Sequence, residues 1–290
     1  MDKVIIIAEI GECFNGDLET AKSLIIEAKG AGCDIVKFQT LDYENISDDD
    51  PEREWFKKIA LNPDKIDFLI RYAGEIDINI LFTPENVKTA KWLSYAGLKS
   101  IKIASSTMAD KELVKFIKDC FDIIFISTGM ASLDEVNEAV SALSGVRDLY
   151  LMHCISEYPT GPLLEQRGLK ALDLKNVHLN MMKILMSLFP HLKIGYSDHT
   201  DGILAPIAAV AAGARVIEKH ITLDRRMPIE HFERGGEYMG TDHILSLEPP
   251  ELKAMVREIR AVESIMGNWK WERTEGEMVL REFLRGRFNS

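Results

Sequence analysis

Short aliphatic segments recur along the whole chain, and stretches with helical periodicity separate them. Most of these segments are continuously apolar, without the alternation of a strand that has one face in water, which is typical of parallel strands covered on both sides. We predict eight strands, at residues 4–10, 34–39, 78–83, 100–103, 122–127, 149–153, 193–196 and 215–219. Repeated strand–helix units restrict the chain to an α/β fold.

The helical stretches carry recognisable ends. Asp17 and Asn62 stand at predicted N-caps, and Ser132 with Glu135 forms a capping box. Eight strand–helix units predict a (β/α)8 TIM barrel. The alternative, a doubly wound open sheet, usually has a glycine-rich phosphate turn, and neither GxGxxG nor GxxxxGKS/T occurs here. We assign residues 1–267 to the barrel and 268–290 to a tail that is too short for a second domain.

Charge and cysteine content exclude several classes of protein. The net charge of −11 is opposite to the basic face of a nucleic-acid-binding protein. The four cysteines are widely spaced, without a CxxC pair, which predicts reduced thiols in a cytoplasmic protein and neither a disulfide framework nor a zinc site. No apolar run reaches about 18 residues and the N-terminus does not resemble a signal peptide, so we expect no membrane segment.

Two histidines end neighbouring predicted strands. His199 lies in the segment KIGYSDHT, His220 lies in ARVIEKHITLD, and a helical stretch separates the two segments. Parallel neighbouring strands place their carboxyl ends at one edge, so we expect both imidazoles, with Asp198 beside the first, to face one cleft as part of a divalent metal site. The alternative is that each histidine is a hydrogen-bonded core or loop residue.

Two lysines also end predicted strands. Lys37 ends CDIVKFQT and Lys102 ends LKSIKIASS, although lysine is seldom buried without a partner. One interpretation is a bound phosphate, to which the Ser127-Thr128-Gly129 turn adds hydroxyl and N–H donors. The other is a structural ion pair with Glu9 or Asp34. Glu9 itself is either an acid–base group or a carboxylate that closes the barrel mouth.

Nine short motifs, in order, resemble those of the sialic acid synthases. They are IIAEIG…NGD (6–17), VKFQT (36–40), FTP (82–84), KIASS (102–106), ISTGM (126–130), HCISEYPT (153–160), GYSDHT (195–200), IEKHITLD (217–224) and TDHILSLEP (241–249). Each motif alone is weak, but their common order across nearly the whole chain is specific. The resemblance implies condensation of phosphoenolpyruvate with an acylamino sugar similar to N-acetylmannosamine, which forms a nonulosonic acid and releases phosphate.

The resemblance also implies roles for individual residues. In that family a divalent metal, typically Mn²⁺ with Mg²⁺ or Co²⁺ as alternatives, polarises the sugar aldehyde and is held by two histidines that match His199 and His220. Glu9 matches a glutamate implicated in activating water or stabilising charge. The catalytic candidates are Glu9, Lys37, Lys102, His199 and His220. The substrate-binding candidates are Thr83, Ser105, Ser127, Ser156, Tyr158, Ser197 and Asp242.

Some positions depart from the family pattern. Cys13 and Phe14 replace a polar pair on the sugar side, Thr107 stands where an acidic residue is usual, and the loop 226–239 is longer. These changes keep two alternatives open. One is a metal-dependent aldol or lyase reaction on another sugar, and the other is a catalytically weakened paralogue that binds a sugar acid.

The family usually continues into a small antifreeze-like domain that donates an arginine to the partner's site in a dimer. This chain ends where that domain would begin, so either the sequence is part of a longer protein, a separate chain supplies the domain, or the protein works without it. Candidate substitutes for the arginine are Arg234 in the long loop and Arg281, Arg285 and Arg287 in the tail. A homodimer is therefore an expectation from the resemblance alone.

Overall fold

The strands close into a barrel. The computed structural model describes residues 3–50, 53–157, 174–226, 241–267 and 270–287. Its strands are β1 (Ile5–Glu9), β2 (Ile35–Thr40), β3 (Asn79–Pro84), β4 (Ser100–Ile103), β5 (Ile123–Ser127), β6 (Asp148–Cys154), β7 (Lys193–Asp198) and β8 (Val216–His220). All ladders are parallel, in the order β3-β2-β1-β8-β7-β6-β5-β4, and β3 also lies against β4. The predicted TIM barrel is confirmed, and the doubly wound alternative is wrong.

Helices cover the outside of the barrel. Those described are α1 (Leu18–Ala31), α2 (Arg53–Ile59), α3 (Pro63–Glu75), α4 (Val87–Tyr95), α5 (Lys111–Cys120), α6 (Leu133–Ala142), α7 (Asn180–Leu188), α8 (Leu204–Ala211), α9 (Thr241–Leu245), α10 (Pro249–Met266) and α11 (Glu275–Arg287). The predicted caps are confirmed, since Asp17 and Asn62 accept backbone N–H bonds and Ser132 forms its capping box. These caps satisfy free N–H groups in the first turns of α1, α3 and α6.

Strand alternation gives the barrel an apolar floor. The inward-facing side chains Ile7, Leu81, Phe125, Tyr150, Met152 and Val216 form a buried cluster of their own. The rings of Phe125 and Tyr150 stack with centroids 4.6 Å apart. Next along most strands toward the carboxyl end, the inward side chains become polar, as at Glu9, Lys37 and Glu218. The candidate site therefore rests on a packed hydrophobic base, as is usual in barrels of this kind.

A larger apolar core lies between the strands and the helices. Helix α10 closes one side of it by packing against α1 and α8. In the tail, every residue of α11 is exposed, and α11 packs no buried side chain against the barrel. Among the described helices, none has the length and hydrophobicity to cross a membrane. Tyr158, Arg234 and nearly all of the long loop lie outside the described residues.

Candidate active site

The predicted lysines meet two carboxylates at the carboxyl ends of the strands. Lys37 Nζ lies 2.9 Å from Glu9 Oε2 and 3.0 Å from Thr83 Oγ1, and 3.8 Å from Glu218 Oε1. Gln39 Nε2 donates to the other oxygen of Glu9 at 2.8 Å. The ion pair between Lys37 and Glu9 agrees with the structural interpretation of these residues. Asp34, the other suggested partner, instead binds Arg260 and Lys3 at the opposite end of β2.

Glu218 is the centre of the charged cluster. Both of its oxygens accept hydrogen bonds from Lys102 Nζ at 2.9 Å, and Ser197 Oγ donates to one of them at 3.1 Å. Glu218 was not among the predicted site residues. The signal that identifies it is its position two residues before His220, because side chains two apart on a strand face the same side.

Burial and mutual attraction set the protonation of this cluster. Burial raises the pKa of Glu9 above its ordinary value, even though Lys37 opposes the shift. Burial acts in the same direction on Glu218, but Lys102 and Lys37 bring the pKa of Glu218 down to about 2. Burial lowers the pKa of Lys37, yet the carboxylates of Glu218 and Glu9 leave it raised overall. Both partners of Lys37 therefore favour its charged form.

Hydroxyl groups line the same cavity as Lys102 and Glu218. Ser105 Oγ and Ser156 Oγ lie 2.9 Å apart. Gly129 permits this approach, because a Cβ there would stand 2.0 Å from Ser156 Oγ. Ser127 Oγ is buried without a hydrogen-bond partner among the described residues, which marks it as a donor for a ligand.

The two predicted histidines do face one another. Their ring centroids are 5.5 Å apart with an interplanar angle of 56°. His199 Nδ1 lies 3.1 Å from the Ile155 carbonyl, so this nitrogen carries the proton and the lone pair is on Nε2. Buried His220 Nδ1 has no hydrogen-bond partner within the described ranges and lies 3.4 Å from Asp242 Oδ2. The pair thus offers nitrogen ligands of the kind that Mn²⁺ or another divalent metal accepts.

The electrostatics of the histidine pair also fit a metal. Burial lowers the pKa of His199 to about 4 and that of His220 well below its ordinary value, so both rings are neutral at pH 7. A neutral imidazole is the form that coordinates a metal. The part of the chain that the structure describes contains no group of three or more ligating side chains, so His199 and His220 are the two nitrogen ligands it offers here.

Asp198 does not belong to this shell, contrary to our expectation. Its carboxylate is fully buried and accepts hydrogen bonds from Lys219, Tyr196 and Thr200. The reason is strand alternation, which turns Asp198 to the outside of the barrel and its neighbour Ser197 to the inside.

The residues that depart from the family pattern lie in different parts of the structure. Phe14 packs edge-on against Phe38 in the outer core, with centroids 5.8 Å apart. Cys13 is also buried, with Sγ 3.5 Å from Ser246 Oγ. Thr107 Oγ1 donates to the Ala104 carbonyl at 3.4 Å. Cys13 and Phe14 are thus core residues as the structure describes them.

The candidate residues enclose a cavity of about 280 Å³. Its lining includes Thr83, Lys102, Ser105, Ser127, Ser156, Ser197, Glu218, His199 and His220. Glu9 and Lys37 stand behind the residues that line the cavity. They contact three of those residues, Gln39, Thr83 and Glu218, through hydrogen bonds and an ion pair. Asp242, on α9, contacts His220. The same carboxylate lies close to Gly11, where a Cβ would stand 2.6 Å from Asp242 Oδ2. Tyr158 is the one predicted site residue outside the described ranges.

A sequence model of the NeuB family matches residues 24–271. The chain belongs to the NeuB family. An uncharacterised protein of Methanocaldococcus jannaschii is 39% identical over 270 residues, covering 92% of this chain and 73% of that protein. The N,N'-diacetyllegionaminic acid synthase of Campylobacter jejuni is 36% identical over 287 residues, covering 92% of this chain and 79% of that synthase.

A solved structure is also similar to this chain. The N-acetylneuraminic acid (sialic acid) synthetase of Leptospira borgpetersenii superposes with a TM-score of 0.84 at 30% identity, covering 97% of this chain and 91% of that one. That synthetase therefore shares both sequence similarity and the barrel fold with this chain.

Proposed function

We propose that this chain condenses phosphoenolpyruvate with an acylamino sugar to form a nonulosonic acid and inorganic phosphate. The observation that carries the proposal is the shared cavity, which Lys102, Ser105, Ser127 and Ser156 line together with a pair of neutral histidines. Ammonium and hydroxyl groups suit an enol phosphate. Paired imidazoles suit a divalent metal, typically Mn²⁺, which supplies Lewis-acid polarisation of the sugar aldehyde.

The charge balance of the site supports a metal beside the anion. Lys37 and Lys102 are balanced by Glu9 and Glu218, so these four side chains sum to zero charge. Phosphoenolpyruvate, with a phosphate and a carboxylate, brings a charge of about −3. A trianion in a buried, neutral site is costly, and a divalent cation at the histidines offsets most of that charge.

The reaction forms one carbon–carbon bond and one carbon–oxygen bond, and it breaks the carbon–oxygen bond to phosphate. Carbon 3 of phosphoenolpyruvate bonds to the aldehyde carbon, whose oxygen takes up a proton and becomes a hydroxyl. Water adds at carbon 2 and gives up its protons as phosphate leaves with its bridging oxygen, so carbon 2 becomes a ketone. We assign Lys102, Ser105, Ser127 and Ser156 to hold the phosphate. Lys37 supports this set from behind through Thr83 and Glu218.

We assign Glu9 to stabilise charge as water attacks, from behind the cavity wall and through its contacts with Lys37 and Gln39. Burial raises the pKa of Glu9, and the Lys37 ammonium opposes that shift. Gln39 orients the carboxylate at 2.8 Å. Thr107 cannot assist, because it has no ionisable group where the family usually has an acid.

Relatives suggest which sugars to test. One relative is an N,N'-diacetyllegionaminic acid synthase and another, from Drosophila melanogaster, is an N-acetylneuraminate-9-phosphate synthase that is 34% identical over 279 residues. The acceptor of this chain is therefore sought among N-acetylmannosamine, its 6-phosphate and the diacetamido-hexose precursors of legionaminate and pseudaminate.

Phosphate release from phosphoenolpyruvate is the test. We expect release only when Mn²⁺ and one of these sugars are both present, and we expect Lys102→Met to abolish it. A Lys111→Met variant, changed at an exposed lysine of α5, is the matched control and keeps full activity. No release with any sugar of the panel would contradict the proposal and favour the sugar-acid-binding paralogue.

A further inference from the structure

Behind the two histidines lies a buried ion pair that the proposed reaction does not use. Lys219 Nζ and Asp198 Oδ2 are 2.7 Å apart, and both side chains are 0% exposed. The two residues are register partners on β7 and β8. Alternation turns both away from the cavity, whereas their neighbours Ser197, Glu218 and His220 line it.

This ion pair also holds the backbone beyond β7. Thr200 donates to Asp198 through its N–H at 3.1 Å and through Oγ1 at 3.0 Å. Lys219 Nζ donates to the carbonyl of the same threonine. Tyr196 donates a further hydrogen bond to Asp198 at 2.6 Å. Thr200 is therefore fixed at its N–H, its carbonyl and its side chain.

The anchored residues flank both histidines. His199 stands between Asp198 and Thr200, and His220 directly follows Lys219. We propose that Asp198 and Lys219 are positioning residues, which set the separation of the His199 and His220 rings and thereby the affinity for a divalent cation. This inference rests on the metal site in the proposed function.

Stability alone does not account for such a pair. A buried ion pair is often replaced by apolar residues of similar size without loss of stability, because its desolvation offsets its attraction. A fully hydrogen-bonded pair does fix geometry, since Asp198 accepts bonds on both oxygens from three side chains and one N–H. Residues that orient metal ligands typically change metal affinity by about 10- to 100-fold when they are replaced.

The test is a double variant, Asp198→Asn with Lys219→Met. The double variant leaves no unpaired buried charge. The amide oxygen introduced at position 198 still accepts a hydrogen bond from the Thr200 N–H, so we expect the fold to be preserved. Two readouts are needed, the affinity for Mn²⁺ by calorimetry and the separation of the rings in a crystal structure of the metal-free variant. We expect the affinity to fall by about 10- to 100-fold. We expect the ring centroids to move from their 5.5 Å separation by more than about 0.5 Å.

Arg260→Met is the matched control, because it breaks the 2.9 Å ion pair with Asp34 at the amino-terminal end of the barrel. It lowers stability and leaves the affinity for Mn²⁺ unchanged. The inference is overturned if either readout of the double variant equals that of the native protein. If the native protein itself binds no Mn²⁺, the proposed metal site fails, and the ring separation alone then decides the role of the ion pair.

Discussion

At Lys102, binding and stability depend on the same charge. Lys102→Met removes the ammonium that faces the cavity and leaves Glu218 buried without its 2.9 Å partner. We expect phosphoenolpyruvate affinity to fall about 10- to 100-fold. We expect the free energy of unfolding to fall by about 3–5 kcal/mol.

A double variant separates these two effects. Lys102→Met with Glu218→Gln removes both charges, so chemical denaturation is expected to show most of the stability restored while the affinity stays low. Restored affinity in the double variant would contradict the role of Lys102 in binding the anion.

The two histidines of the cavity differ from a third that ends a neighbouring strand. We expect His199→Ala and His220→Ala each to abolish Mn²⁺ binding in calorimetry, because either change leaves one imidazole where two are needed. His153→Gln is the control. His153 Nε2 is bonded to the Val177 carbonyl at 2.9 Å and its ring stacks on Tyr196, in the outer core. Unchanged affinity in both alanine variants would refute the metal assignment.

His243 makes stability depend on pH. Burial lowers its pKa to about 4 from an unfolded value near 6.5, so the unfolded chain binds the proton more tightly. Its contribution is therefore fully present above pH 6.5 and is lost as the pH falls toward about 4, by at most about 3 kcal/mol. We measure the free energy of unfolding of the native protein and of His243→Gln by urea titration at several pH values. We expect the two free energies to approach each other as the pH falls from 6.5 to 4. A constant difference between them across this range would contradict the role of His243.

Among the elements, the strands could be predicted closely from the sequence. Continuous apolar runs locate all eight strands to within two residues at either end. The same runs did not reveal which side chains face inward, because parallel strands buried on both faces show no alternation. For that reason Glu218 was missed and Asp198 was assigned to the wrong side. Glu9 and Lys37 are register partners on neighbouring strands, whereas Lys102 on β4 and Glu218 on β8 lie far apart in sequence and meet only because the barrel closes.

A substitution at Gly195, in β7, tests how tightly the inside of the barrel is packed. A Cβ on Gly195 would lie 2.9 Å from Val216 Cβ and 3.0 Å from the Val216 carbonyl. We expect Gly195→Ala to destabilise the protein by about 1–3 kcal/mol, since the interior has no space for an added methyl group. Gly30→Ala in α1 is the matched control, with nothing within 4 Å of its Cβ. That change is expected to stabilise the helix by about 0.5–1 kcal/mol. Equal thermal shifts of the same sign would contradict the tight packing.

For the whole molecule, the tail is the part with least contact to the barrel. In α11 every residue is exposed, and Phe283 and Leu280 present apolar side chains to solvent. We expect deletion of residues 268–290 to leave the thermal unfolding midpoint of the barrel within about 2–4 °C, corresponding to less than about 1 kcal/mol. A larger fall would show that the barrel depends on the tail, against the predicted boundary after residue 267. Whether the tail mediates a dimer is measured on the same pair of proteins by light scattering.

The proposed function requires that one barrel mouth hold a divalent metal and an enol phosphate side by side. A crystal structure with Mn²⁺ and phosphoenolpyruvate, with anomalous diffraction to locate the manganese, is the decisive measurement. We expect an anomalous peak between His199 and His220, with the phosphate on Lys102 and the serines around Gly129. Manganese bound elsewhere, or phosphoenolpyruvate outside this cavity, would contradict it.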